Sequence, residues 1–130
     1  MTGMVLVTHA GLAGALLRSA EMIVGKIECC EPVEITSDDK ADEIMSRVVA
    51  AVEKVSADGA IIMTDLFGGT PSNMAMPFLK EGKIEVITGA NLPMMIEFCS
   101  KRERMSIDEL AAAMHNTGRE GIIVAGDLLK

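Results

Sequence analysis

The stretch Met4-Val-Leu-Val-Thr8, followed by the link His9-Ala-Gly-Leu12, decides the fold. A run this uniformly apolar, rich in β-branched residues, leaves a strand no face for water, which suits a strand covered on both sides in a parallel sheet. Beyond the glycine link, Leu16, Leu17, Ala20, Ile23 and Val24 share one face of a helix predicted over residues 13–24, and Gly25 supplies its stop. Strand, glycine turn and helix open a βαβ unit.

The same grammar continues along the chain. A weaker strand is predicted within Cys29–Ile35, where Pro32 cannot donate to a ladder and so marks a sheet edge or a bulge. From Asp38 to Val55, Ala41, Ile44, Val48, Ala51, Val52 and Val55 recur at three and four residues behind a Ser-Asp-Asp start suited to a helix N-terminus. The apolar run Gly59–Thr64 reads as a third strand and ends in Asp65-Leu-Phe-Gly-Gly-Thr70, with Pro71 placed to open a helix. Ile84–Thr88 makes a fourth strand, and Pro93 opens a helix towards Ser100. Ser106-Ile-Asp-Glu109 is a capping box for a helix to about Asn116, after which Gly118 supplies a stop and Gly121–Ala125 a last short strand. The expected architecture is one α/β domain over residues 1–130, with a mostly parallel open sheet and helices on both faces.

Composition narrows the function classes. The 130 residues are 49% apolar, but the apolar runs fall far short of the ~20 residues a membrane span requires. Met1–Met4 carries no basic region ahead of an apolar stretch, so no secretory signal is expected and the cytoplasm is the expected compartment. Cys29, Cys30 and Cys99 offer no C-x-x-C spacing, and buried free thiols are expected rather than a metal site. A net charge of −7 argues against nucleic acid or an anionic membrane as partner. Without Trp or Tyr there is no stacking platform for bases, and eleven Met residues must fill core and interface volume.

In an open parallel sheet, ligands gather beyond the carboxyl ends of the strands, where strand order reverses. Thr8-His9, then Asp65 with Gly68, Gly69 and Thr70, then Gly89 with Asn91 occupy those places. An imidazole acts as a nucleophile through one nitrogen when the other holds the proton, and a carboxylate such as Asp65 can fix that tautomer. Gly68 and Gly69 allow close backbone approach to an anion, and Thr70 can offer its hydroxyl and N–H to phosphate oxygens. Spacing alone leaves the bland readings open: His9 as a loop residue, Asp65 as a turn cap, the glycines as turn geometry. His115, near a helix C-terminus, needs no function. Leu66 and Phe67 are expected to pack, although an exposed pair would serve as a docking anchor. No G-x-x-x-x-G-K-[ST] exists, Gly11-Leu-Ala-Gly14 lacks the earlier glycine of G-x-G-x-x-G, and Thr8-His9 stands where a receiver-type site would hold magnesium with an acidic pair. Neither cofactor nor metal is expected.

Met4-Val-Leu-Val-Thr-His9 with Gly11, Asp65-Leu-Phe-Gly-Gly-Thr-Pro-Ser-Asn73, Asn91-Leu-Pro-Met94 and Thr117-Gly-Arg-Glu-Gly121 together resemble the mannose-family enzyme IIA component of the bacterial phosphoenolpyruvate-dependent sugar phosphotransferase system (PTS). The resemblance spans essentially the whole chain. It implies a phosphocarrier in which His9 takes a phosphoryl group from HPr and passes it to a IIB component. It also implies that Asp65 orients the ring with Nε2 as the acceptor, that Thr70 lies beside the phosphoryl group, and that the protein is a homodimer sharing its last strand, antiparallel, between sheets. Contact with a membrane permease would come only through partners. Thr70 departs from the Ser of better-known members but keeps the hydroxyl, and no IIB segment is appended, so the acceptor is expected to be a separate chain. The alternative is a stand-alone regulator whose phosphorylation state selects its partners. A phosphate-binding module, in which residues 68–70 hold a ligand and His9 only hydrogen-bonds it, is the reading without a carrier.

Overall fold

A computed structural model describes residues 1–130. Its elements in chain order are β1 (Gly3–His9), α1 (Leu12–Val24), β2 (Cys30–Ile35), α2 (Ala41–Val55), β3 (Ala60–Thr64), α3 (Thr70–Ala75), β4 (Ile84–Thr88), α4 (Leu92–Lys101) and α5 (Ile107–Glu120). A 3₁₀ turn follows α3 at Met76–Phe78, and another covers Ala125–Leu129 near the C-terminus. The four strands are all parallel, in the order β2-β1-β3-β4. Pro32 lies in the edge strand β2, where a missing donor costs least.

The expected double coverage of the central strands is realised residue by residue. Met4 and Leu6 of β1, with Ile61 and Met63 of β3, pack into a core shared with α1, α4 and α5 through Ala20, Met95, Phe98, Leu110 and Met114. Val5, Val7 and Ile62 turn to the other face, against Ile44, Val48, Val52 and Val55 of α2 and Ala75 of α3. Alternate side chains thus feed opposite cores, so the strand sequences carry no polar alternation. The capping box forms as read: Ser106 Oγ accepts from the Glu109 N–H, and the Glu109 carboxylate accepts from the Ser106 N–H. No helix is long and apolar enough to cross a membrane.

The structure departs from the sequence reading at several places, one of them Cys29, which is exposed where buried thiols were expected. Gly118 does not stop α5, which continues to Glu120; it is buried, and a Cβ there would stand 2.7 Å from Met94 Cγ, so the glycine serves close packing of α5 on α4. Residues 121–125 form no strand in the chain's own sheet: Ile122, Ile123 and Val124 find no neighbouring strand and remain 74%, 63% and 66% exposed. Ile23 and Val24, placed by periodicity on the buried face of α1, are exposed, since the helix end runs past the core that Ala13 and Ala20 reach.

Candidate functional site

With strand order 2-1-3-4, the chain leaves β1 towards one edge and returns past it to β3, so the reversal falls between β1 and β3. His9 closes β1 and Asp65 follows β3, and the paired register Val7↔Thr64 brings these two ends side by side. Local structure then aims them. Thr8, fully buried, accepts the Ala13 N–H on its Oγ1 at 2.8 Å and so ties the first turn of α1 to the strand end. Ala10 turns the chain with φ of 48°, a left-handed conformation that a non-glycine residue adopts at a cost of roughly 1 kcal/mol, and it donates its N–H to Ile35. The Thr64 carbonyl accepts from both Gly89 and Ala90, fixing the end of β3 against the loop after β4.

Asp65 Oδ2 accepts two hydrogen bonds from one residue, the His9 backbone N–H and the ring at Nδ1, both at 3.0 Å. A carboxylate only accepts, so in the neutral imidazole the ring proton belongs on Nδ1 and the lone pair on Nε2. The imidazole is half exposed while the Asp65 side chain is only 12% exposed, so the pair presents its nucleophilic nitrogen and hides its anion. Asp65 Oδ1 and Thr64 Oγ1 are both buried without a partner, a cost of the kind concentrated at functional sites.

The glycine loop fits around this ring. Gly68 has φ of +90°, which a side chain would strain. A Cβ on Gly69 would lie 3.1 Å from His9 Cε1 and 3.5 Å from Nε2, so the loop passes close to the ring only because Gly69 has none. The Gly68 N–H donates to Ser72 Oγ, whose hydroxyl donates to the Gly69 carbonyl, and the loop is closed on itself. Gly68 therefore shapes the loop rather than offering a donor, whereas the N–H groups of Gly69 and Thr70 bind no acceptor within the chain. Thr70 and His9 line one cleft of about 410 Å³ with Thr36, Asp39 and Met74. Its far wall is set by Asp39, which accepts from the Thr36 N–H and pairs with Arg47 at 2.7 Å; that backbone bond, then Arg47, hold its carboxyl below the usual range.

Of the residues singled out by sequence, His9, Asp65, Gly68, Gly69 and Thr70 thus meet in one place. Gly89 and Asn91 do not reach the ring: the former braces Thr64, and Asn91 caps α4 by accepting the Met94 N–H while donating to the Gly118 carbonyl. Ser72 was missed, and its place in the first turn after a glycine pair was the available signal. Leu66 and Phe67, expected to pack, instead stand 59% and 74% exposed at the tip of the loop.

The family model described as PTS system fructose IIA component matches residues 3–115. The chain is 32% identical over 109 residues to the PTS system sorbose-specific EIIA component of Lacticaseibacillus casei, an alignment covering 83% of this chain and 79% of that one. It is 33% identical over 118 residues to the PTS system mannose-specific EIIAB component of Escherichia coli K12, covering 88% of this chain but only 36% of that longer protein. Among solved structures, phosphotransferase system component EIIA from Streptococcus agalactiae superposes with a TM-score of 0.86 at 26% identity, covering 98% of this chain and 99% of that one.

Proposed function

The chain belongs to the PTS EIIA family of the mannose type, and from that premise we propose that it carries a phosphoryl group on His9, taken from HPr and passed to a IIB component during sugar uptake. The observation that carries this reading is the Asp65 carboxylate on His9 Nδ1, which leaves Nε2 free to attack phosphorus. In the forward step the phosphorus–nitrogen bond to the donor's histidine breaks as the bond to Nε2 forms, while the Nδ1 proton stays in its hydrogen bond to Asp65. In the onward step the acceptor's nucleophile displaces Nε2. Asp65 offsets the positive charge that develops on the ring, and the free N–H groups of Gly69 and Thr70, with the Thr70 hydroxyl, supply donors for the phosphoryl oxygens.

The exposed Leu66–Phe67 pair offers an apolar contact for both carrier proteins. The exposed apolar segment 122–124 supports a homodimer in which it leaves its own chain's surface. The protein works in the cytoplasm and reaches a permease only through its partners. The alternative in which the same phosphorylation serves regulation without transport rests on no separate feature of the site.

Incubation with phosphoenolpyruvate, enzyme I and HPr tests the reading. A mass increase of one phosphoryl group that is acid-labile and absent in His9→Ala is expected. No adduct with active upstream proteins, or an adduct that survives His9→Ala, would overturn it.

A further inference from the structure

Arg102 is a buried cation without an anion. It caps the C-terminal end of α4 and is 7% exposed, yet it takes part in no ion pair in a chain whose net charge is −7. Its Nε and Nη2 both donate to the Thr2 carbonyl, at 3.0 and 2.7 Å, and its guanidinium lies 4.5 Å from the centre of the Phe98 ring. The ring and the carbonyl end of the helix offset part of the cost of removing this charge from water, but neither carries a full negative charge. The nearby thiols do not supply one. Burial pushes Cys30 up to about 12 and raises Cys99 as well, overriding the pull of the Arg102 cation, so both remain neutral.

Arg102 also lines an open cleft of about 420 Å³, within the size range of small-molecule sites. Val24, Ile27, Ile96 and Cys99 give it apolar walls; Lys26, Glu28 and Glu103 also border it. It opens at the amino ends of the strands, beside Met1 and the segment before β2, so it is separated from His9 by roughly 20 Å, the length of β1. Nothing in the relay uses it.

We propose that this cavity binds a small monocarboxylate with an apolar body, the carboxylate on Arg102 and the body against Val24, Ile27 and Ile96. The Thr2 carbonyl takes the Nε and Nη2 edge of the guanidinium, which leaves Nη1 without a partner in the chain, and a charge-assisted bond there to a carboxylate would pair the cation that the chain leaves unpaired. Two carboxylates bordering the cavity, Glu28 and Glu103, disfavour a dianion such as a phosphate monoester, and the apolar walls disfavour a bare inorganic ion.

Titration of the unphosphorylated protein with benzoate and with hexanoate, followed by calorimetry and by methyl NMR of the isoleucines, tests this. Saturable binding with a dissociation constant on the order of 1 mM or tighter is expected, with shifts at Ile27 and Ile96. Benzamide and hexanamide should bind about tenfold or more weakly, because they lack the charge that Arg102 recognises. Arg102→Met should abolish the preference for acid over amide. Should that variant fail to fold for want of its bonds to Thr2, Ile96→Trp fills the cavity while leaving Arg102 in place, and it should abolish binding. No saturable binding, equal binding of acid and amide, or binding that survives Ile96→Trp would overturn the proposal.

Discussion

Asp65 grips His9 at two points with a single oxygen, Oδ2, which accepts from the backbone N–H and from the ring Nδ1 at the same 3.0 Å. The backbone bond fixes where the residue sits and the ring bond fixes which nitrogen is the nucleophile. An amide at this position can still accept both bonds but brings no negative charge. Asp65→Asn is therefore expected to retain the fold and to slow phosphoryl uptake from HPr by about tenfold or more. Rapid-quench transfer kinetics beside a thermal melt check this, and an unaltered rate would remove Asp65 from the mechanism.

Gly69→Ala places a methyl 3.1 Å from His9 Cε1 and 3.5 Å from Nε2. The ring must shift by a few tenths of an ångström, out of line with Asp65. The expected outcome is slower transfer with a loss of stability below about 1 kcal/mol, since the φ at Gly69 suits any residue. Gly68→Ala, at φ of +90°, is expected to do the reverse, costing about 1 kcal/mol through backbone strain while adding nothing near the ring. Urea titrations and transfer rates on the two variants separate these effects, and identical profiles would contradict the geometry.

Deletion of residues 121–130 removes the exposed Ile122, Ile123, Val124, Leu128 and Leu129. If that segment joins two copies, the shortened chain sediments as a monomer while α5 and the two cores remain. A truncated chain that still sediments as a stable dimer would exclude the segment as the link.

Burial holds the Cys30 thiol up at about 12, whereas a cysteine in the unfolded chain titrates near ~8.5. Between those values the unfolded chain has lost the proton and the folded chain retains it. Stability therefore falls as pH rises through that window. The chain has no tyrosine to titrate alongside. The urea midpoint should decline from about pH 9 upward, and Cys30→Ala should decline less steeply; parallel declines would show that Cys30 does not control the slope.

Much of this was legible beforehand, for physical reasons that differ by element. Strands β1 and β3 feed two cores, and that demand forces the unbroken apolar runs that announced them. The long helix α2 has one wet face, so its three-and-four spacing was plain. Gly118 misled because a glycine that admits Met94 is spelled the same way as one that ends a helix. The tail carries strand-like residues at Ile122–Val124, but a strand needs a partner, and the chain itself offers it none. His9 and Asp65 could be nominated from their places after strands, but their mutual distance, and the role of Ser72 in closing the loop, depend on how β1 and β3 align.

The two borders of the sheet are unlike. On β2 the edge is interrupted by Pro32 and flanked by the charged Glu31 and Glu34, features that discourage another chain from zipping on. The β4 border has no proline, and its residues are only partly covered. Beyond Ile84, which Lys80 already bridges, β4 is thus the border better suited to take a further strand.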